Sequence, residues 1–199
     1  MASVNRIEVC RLCAGELSEV ALSLGEQPIS NRLQRPEAAA AVPFPLEIVV
    51  CEACGLPQLA YELAAEEHYH DDYPYVAGVS STWVRHCRRW ADQLIERFGL
   101  GPDDLVVEAG SNDGTLLKAF AARGVKILGI GPSGNVAGIA RKNGVPTLTA
   151  FFNEETARSV AQAVARSHGR PKLFIGSKGP AHVPDTDGFL QAARDLIAD

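Results

Sequence analysis

The chain has 199 residues, 46% hydrophobic and 22% charged, which is the make-up of an ordinary globular protein long enough to bury a sizeable core. The net charge of −5 is uneven: residues 1–100 carry 14 acidic side chains against 8 arginines and no lysine, a balance of −6, while residues 101–199 balance at +1. Nucleic-acid binding draws on clustered positive charge and bilayer spans on long apolar runs; this chain has neither, so both function classes are excluded.

In chain order, the N-terminal stretch Met-Ala-Ser-Val-Asn-Arg lacks the apolar core of a signal peptide. Cys10-Arg11-Leu12-Cys13 and Cys51-Glu52-Ala53-Cys54 follow, separated by 37 residues. Each CxxC turn aims two thiolates at one point, and two such turns supply the tetrahedral sulfur set of a closed zinc site. Gly15 and Gly55 suit the tight turns beside the two pairs. Redox dithiols and disulfides are the bland alternatives, but a redox CxxC belongs at a strand-to-helix turn of a βαβ unit, and neither pair sits in one. Structural Zn²⁺ on Cys10, Cys13, Cys51 and Cys54 is the expectation. Thiols kept for metal fit a reducing cytoplasm. Cys87, the unpaired fifth, reads as a buried packing residue.

Residues 1–63 are read as a zinc-binding module with little helix and one strand, Leu46 to Val50. Pro43-Phe44-Pro45 precludes helix before it, and Ala38 to Ala41 forms a loop or short turn. Residues 64–79 are a polar, aromatic connector containing His68 and His70, both read as exposed loop residues. A helix over Ser80–Phe98 follows from Trp83, Cys87, Trp90, Leu94 and Phe98 at spacings of three and four, with Ser80 or Ser81 as cap and Gly99 as stop.

From Asp104 strands and helices alternate. Strands are expected at 105–108, 126–130, 147–149 and 172–175, with helices at 115–122, 135–142, 154–166 and 186–197. This gives an α/β fold with about four parallel strands and crossover helices, whose ligands bind beyond the carboxyl ends of the strands. Glu108-Ala109-Gly110-Ser111-Asn112-Asp113-Gly114 falls on the first strand-to-helix turn. A Gly-rich turn alone is a weak signal, and a turn with no ligand is its bland reading.

The order of motifs is more specific: CxxC, Leu24-Gly25-Glu26-Gln27-Pro28-Ile29-Ser30-Asn31, CxxCGLPQL, Tyr73-Pro74-Tyr75 with Ser80-Ser81 and His86, EAGSNDG, GPSGNVA, Phe151-Phe152 and His182-Val183-Pro184-Asp185. Together they resemble the sugar C-methyltransferases of deoxysugar biosynthesis. The resemblance covers nearly all of this chain and about the first half of a family member. It implies an N-terminal zinc module (1–63), a connector and helix lining the substrate side (64–99), and a partial Rossmann-like S-adenosylmethionine domain (100–199). It implies methylation at C3 of a nucleotide-linked 4-keto-deoxyhexose. The cofactor side is expected to involve Glu108, Gly110, Ser111, Asn112, Gly114, Gly131 and Phe152, with Asn112 and the turn at the methionine end and Phe152 near the adenine. Tyr75 and His182 are expected to face the sugar as candidate catalytic groups; a packed aromatic and a capping loop residue are their bland readings.

Three departures from the family bear on activity. Gly131 stands where the family has an acid that holds the ribose hydroxyls; losing those charge-assisted bonds costs roughly 2–4 kcal/mol, so cofactor binding is expected to be weakened. The family's Asn-rich stretch reads Gly176-Ser177-Lys178-Gly179-Pro180-Ala181, with Lys178 bringing charge near the cofactor cleft. The family's Glu-His pair and C-terminal domain lie beyond Asp199, so no turnover is expected of the chain alone. A zinc-binding partner or ligand-binding protein descended from such an enzyme is the competing class, and a decayed gene product the third. An exposed parallel edge strand invites pairing, so self-association or a protein partner is expected.

Overall fold

The computed structural model describes residues 4–33, 35, 37, 43–69, 71–165, 169–177 and 179–197. The expectations for His70, Lys178, Ala38 to Ala41 and the end of the 154–166 helix lie outside the described residues. The chain forms two compact units, Met1–Pro74 with Val183–Asp187, and Tyr75–His182 with Gly188–Asp199.

The first unit is built of short antiparallel strands. β1 (Val4–Arg6) pairs with β5 (Tyr61–Leu63). β3 (Phe44–Val50) is the centre of a three-stranded sheet between β2 (Leu22–Gln27) and β4 (Pro57–Leu59). The sequence pattern predicts only Leu46–Val50. The other strands are short or largely exposed, so alternation of apolar residues does not mark them. The β2–β3 register shifts between Ser23 and Glu26, where Gly25 takes φ +70°. α1 (Ala65–His68) follows. His68 is therefore partly buried at a helix end, its ring 6.2 Å from that of Tyr69, and is not the exposed loop residue expected.

The second unit opens with a 3₁₀ turn at Ala77–Val79 and α2 (Ser81–Phe98). Ser80 caps α2 by accepting from the Trp83 N–H at 3.2 Å, and Gly99 closes it at φ +57°. β6 (Leu105–Ala109), α3 (Thr115–Ala121), β7 (Lys126–Gly131), α4 (Gly134–Lys142), β8 (Thr147–Thr149), α5 (Glu154–Ala165), β9 (Leu173–Ile175) and α6 (Thr186–Ile197) then alternate. The sheet is parallel, in the order β8-β7-β6-β9, the Rossmann-like arrangement. Both faces are covered. Val106 lies in a core with Cys87, Ala91, Leu117, Phe120 and Ala140 from α2, α3 and α4. Leu105 and Val107 lie in a second core with Val160, Ala192 and Leu196 from α5 and α6. β6 is buried at all five positions, as a central strand of a covered parallel sheet must be.

Strand order reverses at β6. The chain leaves β6 toward β7 and β8, then returns to place β9 on the other side. The switch point between β6 and β9 is where such sheets open a crevice beyond the strand ends. Among the described residues, no helix is long and apolar enough to cross a membrane.

Candidate functional site

The two CxxC turns meet within the first unit. All four sulfurs lie within 4.8 Å of one another. Cys13 Sγ is 3.5 Å from Cys51 Sγ, and Cys10 Sγ is 3.7 Å from Cys54 Sγ. A tetrahedron of Zn–S bonds near 2.3 Å has sulfur–sulfur edges of about 3.8 Å, so the four cysteines fit that ion. The turns are built alike. The Ala14 N–H donates to Cys10 O and the Gly55 N–H to Cys51 O, both at 2.9 Å. The Leu12 N–H points at Cys10 Sγ and the Cys54 N–H at Cys51 Sγ, both at 3.4 Å. Those amides stabilise negative sulfur.

Glycine's part differs from expectation at the first turn. Ala14, at φ +56°, takes the left-handed position that Gly55 takes at φ +74° in the second. Gly15 is needed for space: a Cβ there would stand 2.9 Å from Ala53 Cβ and 3.3 Å from both Cys13 and Cys51 Sγ. Among the thiols, Cys51 is drawn down to about 6, first by the Cys54 backbone N–H. Cys13, although the Gly15 backbone favours its thiolate, is pushed up by its contacts with the Cys51 and Cys54 sulfurs. Four thiolates this close repel one another, and a divalent cation removes that cost.

Arg11, a spacer to sequence reasoning, braces the first turn. Its N–H bonds Gln58 Oε1 at 3.0 Å, and its guanidinium reaches Glu62 at 3.3 Å and Val183 O at 3.4 Å.

In the second unit, the turn after β6 is folded over the neighbouring strand. The Gly110 and Ser111 N–H groups both donate to Ile130 O, at 2.8 and 3.2 Å. Gly110 and Gly114 hold φ of +72° and +78°; at Gly114 a Cβ would also strike Val145 at 2.8 Å. Asn112, at φ +51°, turns its amide toward the preceding segment: Oδ1 accepts from the Ala77 N–H at 2.9 Å and Nδ2 donates to Tyr75 O at 3.0 Å. Asp113, unmarked by the sequence reading, accepts from the Gly78 N–H at 2.9 Å, from Thr115 Oγ1 at 2.8 Å and from the Thr115 N–H at 3.3 Å. A Cβ on Gly78 would fall 2.6 Å from Asp113 Oδ2, so glycine is required there. The turn thus fixes the Tyr75–Val79 segment.

Glu108 is buried on β6 with Oε2 unpartnered; burial first, then the Asp113 charge, pushes its carboxyl up to about 8. Cys87 is fully buried and pushed up to about 11, by burial first and then by Glu108 and Asp113. It is a packing thiol, as expected. Gly131 ends β7 opposite Thr149. A Cβ there would stand at ordinary contact, 3.9 Å, from Ser111 Oγ and from the Ser111 and Asn112 nitrogens. Phe152 joins an aromatic cluster, its ring 4.6 Å from Phe174 and 5.1 Å from Phe189. Tyr75 is 48% exposed, and His182 is exposed at the end of a 3₁₀ turn, Gly179–His182, after β9.

Residues 10–69 match the family model described as "Putative zinc binding domain". Over 197 residues the chain is 34% identical to C-methyltransferase NovU of Streptomyces niveus; the match takes in 98% of this chain and 46% of that protein. The chain therefore spans about half the length of this curated relative. Among solved structures, magnesium protoporphyrin IX methyltransferase (ChlM) from Synechocystis PCC 6803 with bound SAM is similar at 17% identity and a TM-score of 0.42, over 59% of this chain and 57% of that one. A SAM-dependent methyltransferase from Anabaena variabilis is similar at 18% identity and a TM-score of 0.43, over 56% and 47% of the two chains. The chain is therefore similar over nearly its whole length to a C-methyltransferase, and its N-terminal residues 10–69 match a zinc-binding domain.

Proposed function

We propose that the chain takes part in the C-methylation of a nucleotide-linked 4-keto-deoxysugar, its second unit receiving S-adenosylmethionine and its first unit held by structural zinc. The observation that carries this reading is the switch point of the sheet. There the Gly-rich turn after β6 and the His182 loop after β9 follow the ends of adjacent strands, where sheets of this kind bind ligands, in a chain similar over almost its whole length to a C-methyltransferase.

The residues present suit the cofactor. Gly110 and Gly114 let a ligand approach the backbone, and buried hydroxyls of Ser111 and Ser133 stand unpartnered at the strand ends. The cofactor would supply an electrophilic methyl group. The 4-keto group acidifies the sugar's C3 proton, and its removal leaves negative charge on the keto oxygen. Tyr75, its backbone held by Asn112, carries an exposed phenol able to donate to that oxygen. His182 brings an imidazole able to take or return a proton. Phe152 offers an aromatic face backed by Phe174 and Phe189. The edges of the sheet, β8 and β9, are where a second copy or a protein partner would pair.

Gly131, in place of an acid, favours a second reading, a zinc-binding partner protein without methyl transfer. Titration calorimetry with S-adenosylmethionine separates the two. Binding, joined by C3 deuterium exchange in the sugar that falls in Tyr75→Phe and His182→Ala, supports the methylation role. No binding at millimolar cofactor overturns it in favour of the partner protein.

A further inference from the structure

The second unit has a recess on its α2–α3 side that the methylation reading does not use. Gly78, three residues before α2, meets the start of α3: a Cβ there would stand 2.8 Å from Thr115 Oγ1. Farther along, Asp92 of α2 holds Arg123, two residues past α3, by bonds of 2.7 and 3.0 Å. The two helices therefore run side by side in the same direction, and a groove of about 710 Å³ lies against them. Its volume is that of a small-molecule site. The groove has three levels. Its first is apolar, with Val76, Val79 and Val84, and Val79 is 83% exposed. Its last holds the Asp92–Arg123 pair. Between them Arg88 from α2 and Lys118 from α3 face the same space, beside the small side chains of Ala119 and Ala122.

Arg123 is matched by an acid, and the other two cations are not. Among the described residues neither the Arg88 nor the Lys118 side chain makes a hydrogen bond or ion pair. Asp113 also borders the groove, but its carboxylate accepts from the Gly78 N–H and from Thr115. Two like charges facing one recess repel, and an anion between them removes that cost. A guanidinium fork takes two oxygens and an ammonium a third, which suits a phosphate better than a carboxylate. Val84 lies one turn before Arg88, about 6 Å along the helix, so an apolar body joined to that phosphate would reach the first level. We propose that the α2–α3 groove binds a small soluble organic phosphate, its phosphate between Arg88 and Lys118 and its apolar body against Val76, Val79 and Val84. Val76 and Val79 continue directly from Tyr75, so the occupant lies against the segment that carries the exposed phenol. The inference does not depend on cofactor binding at the strand ends.

The test is amide NMR of the zinc-loaded full chain titrated with phenyl phosphate, inorganic phosphate and benzyl alcohol. Phenyl phosphate should give saturable shifts at residues 76–79, 84, 88 and 118–119, and should bind more tightly than either other probe. Arg88→Gln and Lys118→Gln should each weaken it by about threefold or more. Val79→Ser should weaken phenyl phosphate and leave inorganic phosphate unchanged. These side chains are exposed, so the thermal midpoints of all three variants should match the wild type, which separates a lost site from a lost fold. Inorganic phosphate binding as tightly as phenyl phosphate overturns the proposal, because the apolar level then contributes nothing. So does benzyl alcohol binding as tightly, affinity that survives both charge substitutions, or shifts confined to the Gly-rich turn. No saturable shift at millimolar phenyl phosphate overturns it as well. Recruitment to vesicles of phosphatidylcholine and phosphatidic acid, without binding of phenyl phosphate, overturns it in favour of a lipid surface.

Discussion

The two units reach order by different means. In the second, two apolar cores sandwich a parallel sheet whose central strand is buried throughout. In the first, the buried apolar residues among those described are Ile29, Val49, Ala60 and Leu63, and the remaining buried positions in that group are the ligand cysteines Cys10 and Cys51. Leu22, Leu24, Leu33 and Leu59 stay exposed. Strands this short and open do not bury enough surface to offset chain entropy, so in the first unit a bound ion stands in for a core. The largest prediction follows. The purified chain should hold one zinc, read by elemental analysis. A chelator or Cys51→Ser should unfold residues 1–74, because structural zinc contributes on the order of 10 kcal/mol to such modules. Amide exchange should show the second unit still protected. A first unit that stays folded without metal would break the comparison.

A smaller effect sharpens it from the other side. Asp113→Ala removes three hydrogen bonds inside the second unit and leaves the Gly78 N–H without an acceptor. The expected loss is roughly 2–4 kcal/mol in denaturant unfolding of the second unit, with amide exchange faster first at 76–79. The zinc content should not change. An unaltered exchange pattern at those residues would mean that the Asp113 bonds are not what holds the segment.

The same contrast explains what could be read from sequence. In the second unit, buried strands such as Leu105-Val106-Val107 and helices with a Ser or Gly at their ends announce themselves, because periodicity and caps are local signals. In the first, β1 and β5 pair through Val4 with Leu63 and Asn5 with Glu62, partners far apart in sequence and without an alternating pattern. The zinc ligands were legible through spacing alone. The hydrogen bonds of Asn112 and Asp113 to the Tyr75–Val79 segment were not: each depends on which backbone group lies over it, and a Gly-rich turn reads the same whether its side chains face a ligand or a neighbouring segment. Gly15 and Ala14 make the same point, since crowding and left-handed φ both favour glycine and only the fold tells them apart.

The most gradual effect, spread over several pH units, tests the carboxyl buried beneath that turn. Glu108 has its carboxyl raised to about 8 in the folded chain, by burial first and then by Asp113; in the unfolded chain it titrates in the ordinary range, near 4.5. Between those values the folded state holds a proton that the unfolded state has released. Stability of the second unit therefore falls as pH rises through this window, by at most about 1.4 kcal/mol per pH unit, and levels off above the folded value. Glu108→Gln keeps the shape of the protonated acid and cannot ionise. It should match the wild type near pH 5, flatten the slope from there to pH 8, and be the more stable protein at pH 8. Denaturant midpoints of the two proteins across that range decide the matter. Parallel curves would mean that Glu108 is ionised in the folded protein and that water or a cation reaches Oε2.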